Sequence, residues 1–329
     1  MLRHRIITAS LLAPLVILAV LYLPPDGFAL LWGLVIAAAA YEWSDLAGLK
    51  GIARAVFVGT ILLLMGLARF YAMVWAPGEL PVWFYGAAVL WWVAWGAAFR
   101  RIPEKLASRQ YSKGSRVAAG LLVLFSGWVL MVWLRLNFSA MQLLYLVLLI
   151  WVADIAAYFT GKQWGFTKLT AEISPGKTVE GVYGAMLAAA IFAVLVGVLL
   201  DFKALSLMDF VFLSLLTVAF SVCGDLFESL AKRVRGVKDS GALLPGHGGV
   251  LDRIDSLLSA SAVFYAGSLL IPIFVQFGAS LEPQLVFQPI DEMPGLESGP
   301  ADQEGLTAPP DAAGEESEQS SPAHPEVQP

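Results

Sequence analysis

Four carboxylates and a knot of cations occupy one short polar stretch of this 329-residue chain, between long apolar runs. Asp225 and Glu228 stand three apart and so share one face of a helix, with Lys232 following Glu228 at i+4. Asp252 and Asp255 repeat the three-residue spacing in "LDRIDS". A carboxylate inside a membrane helix costs about 2.5–3.5 kcal/mol on insertion scales, so such groups tend to be paired, to face a cavity and to do work. A salt bridge accounts for Glu228 with Lys232, and a place at a helix N-terminus accounts for Asp252 and Asp255. Neither accounts for Asp225. Carboxylate oxygens gathered near Lys238 and Arg253 suit Mg²⁺, which usually takes one or two protein carboxylates and completes its shell with substrate phosphates.

The same stretch carries "PGHGG" at 245–249. Glycines such as Gly248 and Gly249 let a ligand approach the backbone, and successive N–H groups leading into a helix form a nest for anions. His247 could donate to a phosphate or hold the loop. A second polar stretch contains "SPGKT", 174–178, a shortened phosphate loop that lacks the earlier glycine of the full Walker pattern. In it Lys177 is placed to meet phosphates, while Ser174 and Thr178 could donate or cap; the plainer alternative is a loop with a helix starting at Thr178 and Glu180 in its first turn. Asp154 and Tyr158 lie one helical turn apart at the end of the preceding apolar run, where both could face one cavity. Cys223 reads as packing within an apolar run.

These groups need a scaffold, and composition specifies it. Hydrophobic residues make up 58% of the chain and charged ones 14%, with 11 Trp. A water-soluble core of this size could not hide so much apolar surface, so the bilayer is the solvent. About 20 apolar residues cross it as a helix. Nine candidates follow: 6–23, 27–45, 55–76, 81–99, 117–134, 139–160, 181–200, 206–229 and 256–278. The first is expected to be a retained helix, since no small-residue cleavage site follows it. With nine spans, 18 of the 21 basic residues fall on one side, which makes that side, the N-terminus and both polar stretches cytoplasmic. The first 281 residues hold every basic residue against 15 acidic ones, a net of +6; from Glu282 on there are 11 acidic residues and no Lys or Arg. That tail cannot bury enough apolar surface to fold and is expected to be disordered, on the side opposite the polar loops. The expected organisation is therefore an all-α integral membrane protein with N-terminal spans over 1–135, a catalytic membrane region over 136–280 and a tail over 281–329.

The polar stretch over 224–256 resembles the signature of the phosphatidate cytidylyltransferase family, the CDP-diacylglycerol synthases. That signature runs Ser, Lys-Arg, four residues, Lys-Asp, a small residue, His-Gly-Gly and Asp-Arg with a following Asp. Here the matching residues are Ser229, Lys232, Arg233, Lys238, Asp239, Gly241, His247, Gly248, Gly249, Asp252, Arg253 and Asp255. "SPGKTVEG", "GDLFES" and the set Asp154, Tyr158 and Gly161 are similar to the family as well, so the match covers about 150–260. Ala231 departs from the bulkier apolar residue usual before Lys-Arg, Arg235 adds a charge to the spacer, and the acidic tail lies outside the pattern. The resemblance implies that CTP and phosphatidate react to give CDP-diacylglycerol and pyrophosphate in the inner membrane of a bacterial cell. It implies Asp225 and Asp252, with Asp255 beside them, as ligands of Mg²⁺; Lys177, Lys238 and Arg253 as phosphate holders; and the "GHGG" backbone as the seat of the triphosphate. Asp239 then orders Lys238 or binds a second, monovalent cation. Lys232 and Arg233 fall in the substrate-binding part of the motif. Membrane lipids are the expected surroundings, a homodimer is an expectation of the family, and no nucleic-acid partner is expected. A CTP-dependent isoprenoid-lipid kinase and an anion transporter are the alternatives. The kinase would need a base for a hydroxyl, and the transporter would show repeated halves around a midplane site.

Overall fold

The structure is a computed structural model that describes residues 2–74, 80–243 and 248–270, with side chains from Leu12 onward. The chain forms α1 (Leu2–Tyr22), α2 (Pro25–Leu46), α3 (Ile52–Val74), α4 (Val82–Arg101), α5 (Pro103–Ser108), α6 (Lys113–Asn137) and α7 (Ala140–Trp164). A hairpin of β1 (Lys168–Thr170) and β2 (Ser174–Thr178) follows, then α8 (Val179–Leu199), α9 (Ala204–Arg235) and α10 (Leu251–Leu270). Seven helices, α2, α3, α4, α6, α7, α8 and α9, are long and apolar enough to cross a bilayer. The molecule is an all-α membrane protein but for the short antiparallel hairpin. The expected ninth span continues past Leu270, and both its end and the acidic tail lie outside the described residues.

Large apolar side chains cover the outer surface: Leu30, Leu63, Phe70, Phe159, Leu187 and Phe212 are all more than half exposed. In water such a surface would aggregate; in lipid it is the solvated one. Inside, helix pairs are tied by indole N–H groups that find carbonyls. Trp32 donates to the Gly127 carbonyl at 3.3 Å and Trp128 to that of Ala29 at 3.1 Å, crossing between α2 and α6 in both directions.

The polar ends of these helices meet on one face. Trp43 at the end of α2 donates to the Arg116 carbonyl at the start of α6. Arg235 at the end of α9 donates to the Asp45 carbonyl of α2, and Arg233 to the Ile173 carbonyl in the β-hairpin. Helix α9 is longer than its expected span and carries Lys232, Arg233 and Arg235 in its last turn, where cations favour the negative end of the dipole. It stops at Gly236, whose φ of 76° is left-handed and open to glycine. Helix α5, absent from the expected set, starts at Pro103 and lays Leu106 inward.

The polar stretch with "SPGKT" differs from expectation. "SPGKT" is the extended strand β2, paired with β1 in the register Lys168 with Thr178 and Thr170 with Ser174. It is therefore no curled phosphate loop. The alternative holds at its end: Thr178 caps α8, its Oγ1 accepting the Gly181 N–H at 3.1 Å, and Glu180 lies in the first turn.

Candidate active site

Helices α7, α8 and α9 enclose a cavity of ≈ 370 Å³. Small residues on its helices, Ala153, Ala157, Gly161, Gly181 and Ala185, hold it open; Asp154, Tyr158, Lys177 and Asp225 supply its polar wall. Strand β2 delivers Lys177 because an extended chain ending at the α8 cap points that side chain across to α9. Its Nζ lies 2.5 Å from Asp225 Oδ2, with both side chains about a quarter exposed, at 26% and 30%. Ser229, one turn along α9, donates to the other oxygen of Asp225 at 3.3 Å.

Charge continues behind this pair. Lys177 and Asp225 both act electrostatically on Asp154 and on Asp255, and Arg253 acts on Asp154. Asp255 comes within electrostatic range of Asp225 where α10 packs tightly on α9 at Gly224, at which a Cβ would stand 2.3 Å from Ser259 Oγ and 2.4 Å from the Asp255 carbonyl. One turn further along α9, Lys232 Nζ bridges Glu228 Oε2 at 2.6 Å and Asp252 Oδ1 at 2.7 Å. The other oxygen of Asp252 accepts the N–H groups of Gly249 at 2.9 Å and Ser240 at 3.2 Å. Asp252 thus ties α9, α10 and the loop between them.

The loop has a second anchor that the motif did not reveal. Glu42 of α2 is 2% exposed. Its Oε2 accepts the Leu251 N–H at 2.8 Å and the Ser240 hydroxyl at 3.3 Å, and its Oε1 accepts the Val250 N–H at 3.1 Å. A carboxylate here satisfies the first free N–H groups of α10 and meets the positive end of its dipole. It also explains two glycines of the signature. A Cβ on Gly241 would stand 2.3 Å from Glu42 Oε1, and one on Gly249 2.5 Å from Oε2 and 2.0 Å from Ser240 Oγ. Charged hydrogen bonds of this kind contribute about 1.5–3 kcal/mol each, so Glu42→Gln is expected to lower the thermal unfolding midpoint and cut turnover at least about tenfold. A variant with wild-type midpoint and wild-type turnover would show that Glu42 does not hold the loop.

Of the residues singled out from sequence, the fold brings Asp154, Tyr158, Lys177, Thr178 and Asp225 to the cavity, with Asp255 and Arg253 within electrostatic reach. Lys232 is buried in ion pairs, and Arg233 is spent on the hairpin. Ser174 pairs with Thr170 in the hairpin, and Gly248 takes a left-handed φ of 82°. Lys238 and Asp239 are exposed on the loop and make no ion pair among the described residues. His247 lies outside the described residues. Cys223 packs beside Gly96 of α4, where an added Cβ would stand 3.2 Å from its sulfur.

Beside the Lys177 ammonium and the Ser229 hydroxyl, Asp225 has the carboxylates of Asp154 and Asp255 within electrostatic reach, and carboxylate oxygens are the hard ligands Mg²⁺ takes. Among the described residues no three acidic, His or Cys side chains converge on one point. That fits an ion bound by one or two carboxylates and completed by phosphates, and does not fit a closed protein cage.

Residues 3–270 match the family model described as the cytidylyltransferase family. The phosphatidate cytidylyltransferase of Pseudomonas aeruginosa is 39% identical over 268 residues, covering 81% of this chain and 96% of that protein. The Haemophilus influenzae protein of that name is 35% identical over 80% of this chain and 97% of its own length. The Thermotoga maritima protein is 32% identical over 80% and 95%.

Proposed function

The chain belongs to the cytidylyltransferase family, and we infer from this membership and the site's charge pattern that it is a nucleotidyltransferase acting as a phosphatidate cytidylyltransferase. CTP gives its CMP unit to phosphatidate, yielding CDP-diacylglycerol and pyrophosphate. The observation that carries the site assignment is the Lys177–Asp225 pair on the wall of a cavity between membrane helices.

The chemistry needs little beyond placement and charge. A phosphatidate oxygen attacks the α-phosphorus of CTP, a P–O bond forms, and the bond to the bridging oxygen of the β-phosphate breaks, releasing pyrophosphate. The attacking phosphate is already ionised, so no strong general base is required. Charge spreads over phosphate oxygens in such transfers, and positioned cations stabilise it. Lys177 turns from Asp225 to the phosphates, with Arg253 and Lys238 as the further cations proposed for them and His247 and the Gly248–Gly249 backbone as donors from the loop. Asp225, with Asp154 across the cavity, would hold Mg²⁺, and Asp255 behind them would add negative charge. When bound, the ion supplies Lewis-acid neutralisation of the phosphate oxygens. Asp252 could join only by releasing Lys232, so its main part is to fix the loop and the start of α10. Ser174, Thr178, Tyr158, Lys232 and Arg233 support this arrangement by shaping the hairpin, the cavity mouth and the end of α9.

The setting follows from the two substrates. CTP is water-borne and phosphatidate keeps its acyl chains in lipid, so the polar helix ends that meet on one face belong on the cytoplasmic side, as the basic loops require. On that reading the N-terminus is cytoplasmic and nine spans put the tail opposite. Turnover of CTP and phosphatidate by the purified protein is expected to stop with EDTA and to return with added Mg²⁺. Full turnover in EDTA, after dialysis against chelator, would remove the metal from the account.

A further inference from the structure

The segment 100–116, "RRIPEKLASRQYSKGSR", holds six basic residues and a single acidic one, and the catalytic reading uses none of them. In the fold this segment ends α4, forms α5 and starts α6, and it closes a second cavity of ≈ 420 Å³. This cavity lies on the far face of α9 from the first: Phe227 lines it, two residues beyond Asp225 and so about 200° around the helix.

Its two ends differ in chemistry. The deep wall is aromatic, with Phe227 ringed by Trp43 at 5.7 Å, Trp91 at 6.0 Å and Trp95 at 4.8 Å between centroids. Trp91 stands ten residues before Arg101, about 15 Å along the helix, which is the depth of one leaflet's hydrocarbon. The rim carries Arg109, Gln110, Tyr111, Ser112, Ser115 and Arg116, and the lining includes no carboxylate. Arg116 is fixed there by donating to the Leu46 carbonyl at 3.1 Å, while Arg109 lies 5.8 Å over the Tyr111 ring. Neither guanidinium makes an ion pair among the described residues.

We propose that this second cavity binds an anionic glycerophospholipid, its headgroup phosphate at Arg109 and Arg116 and an acyl chain along Trp91, Trp95 and Phe227. A nucleotide would bring a sugar and several charges to an aromatic shaft with nothing to pair them. A zwitterionic lipid would bring a cation to a rim without an anion. Clusters of four to eight Lys or Arg beside a membrane helix attract anionic lipid surfaces, each contributing a few-fold in affinity, and here such a cluster frames a built cavity. The site is separate from the catalytic cavity, and its occupancy can be read without turnover.

The test is native mass spectrometry of the full chain in uncharged detergent with phosphatidylglycerol, phosphatidate or phosphatidylcholine added. Phosphatidylglycerol is expected to be retained well above phosphatidylcholine. Arg109→Gln with Arg116→Gln is expected to weaken that retention roughly 30-fold, and Arg109→Gln alone roughly fivefold. Turnover of both variants in the same detergent is expected to match wild type. Phosphatidate that displaces the bound phosphatidylglycerol would mean the site takes monoester and diester lipids alike; failure to displace it would assign the site to the diester class. Equal retention of phosphatidylglycerol and phosphatidylcholine, or wild-type retention in folded Arg109→Gln and in the double variant, would overturn the proposal.

Discussion

Asp225→Asn lowers turnover by about three orders of magnitude if Asp225 is the carboxylate that organises the phosphates, since single charged groups aimed at a reacting centre are worth about 10²–10³ in rate. The substitution keeps the side chain's size and its neighbours Ser229 and Lys177, and removes only the charge. Because the pair is partly exposed, its loss costs little stability, as exposed ion pairs contribute at most about 1 kcal/mol. The expected signature is a protein with wild-type helicity and elution whose kcat has collapsed. A folded Asp225→Asn variant within tenfold of wild type would move the metal and phosphate chemistry elsewhere in the cavity.

Lys177→Met is the companion case, with an expected loss of about 10²–10³ in kcat/KM for CTP. Methionine keeps the length of the side chain across the α7–α8–α9 cavity and deletes the cation. The sharper expectation concerns the pair. Groups that act as one unit are not additive, so the double variant Asp225→Asn with Lys177→Met should be no slower than the worse single variant. Losses that multiply would mean that the two residues serve separate steps.

Much of this was legible before any coordinates. Runs of apolar residues at membrane length announce helices because a bilayer leaves the backbone no other partner. The polar stretches stood out against them, and Asp154, Lys177, Thr178 and Asp225 do meet at one cavity. Glu42 lies within the expected span 27–45 and in neither polar stretch; it meets Val250 and Leu251 across more than 200 residues of sequence, and no local pattern encodes such a contact. Gly249 reads from sequence as freedom for a ligand and Gly241 as the small residue of the signature, whereas each also makes room for Glu42. The hairpin was hidden because "SPGKT" has the residues of a loop; pairing with Lys168–Thr170 makes it a strand. Lys232 and Asp252 were read as separate candidates for substrate and metal, and their ion pair depends on α9 and α10 packing side by side.

The most direct measurement supplies the purified protein with phosphatidate, Mg²⁺ and CTP labelled in one sample at the α-phosphorus and in another at the γ-phosphorus, and follows the label into lipid. Transfer of CMP predicts α-label in a lipid product and γ-label released as pyrophosphate, with both signals lost in Asp225→Asn. γ-Label appearing in lipid, whether in a product of phosphatidate or in an added isoprenoid alcohol, with no α-label in lipid, would contradict it.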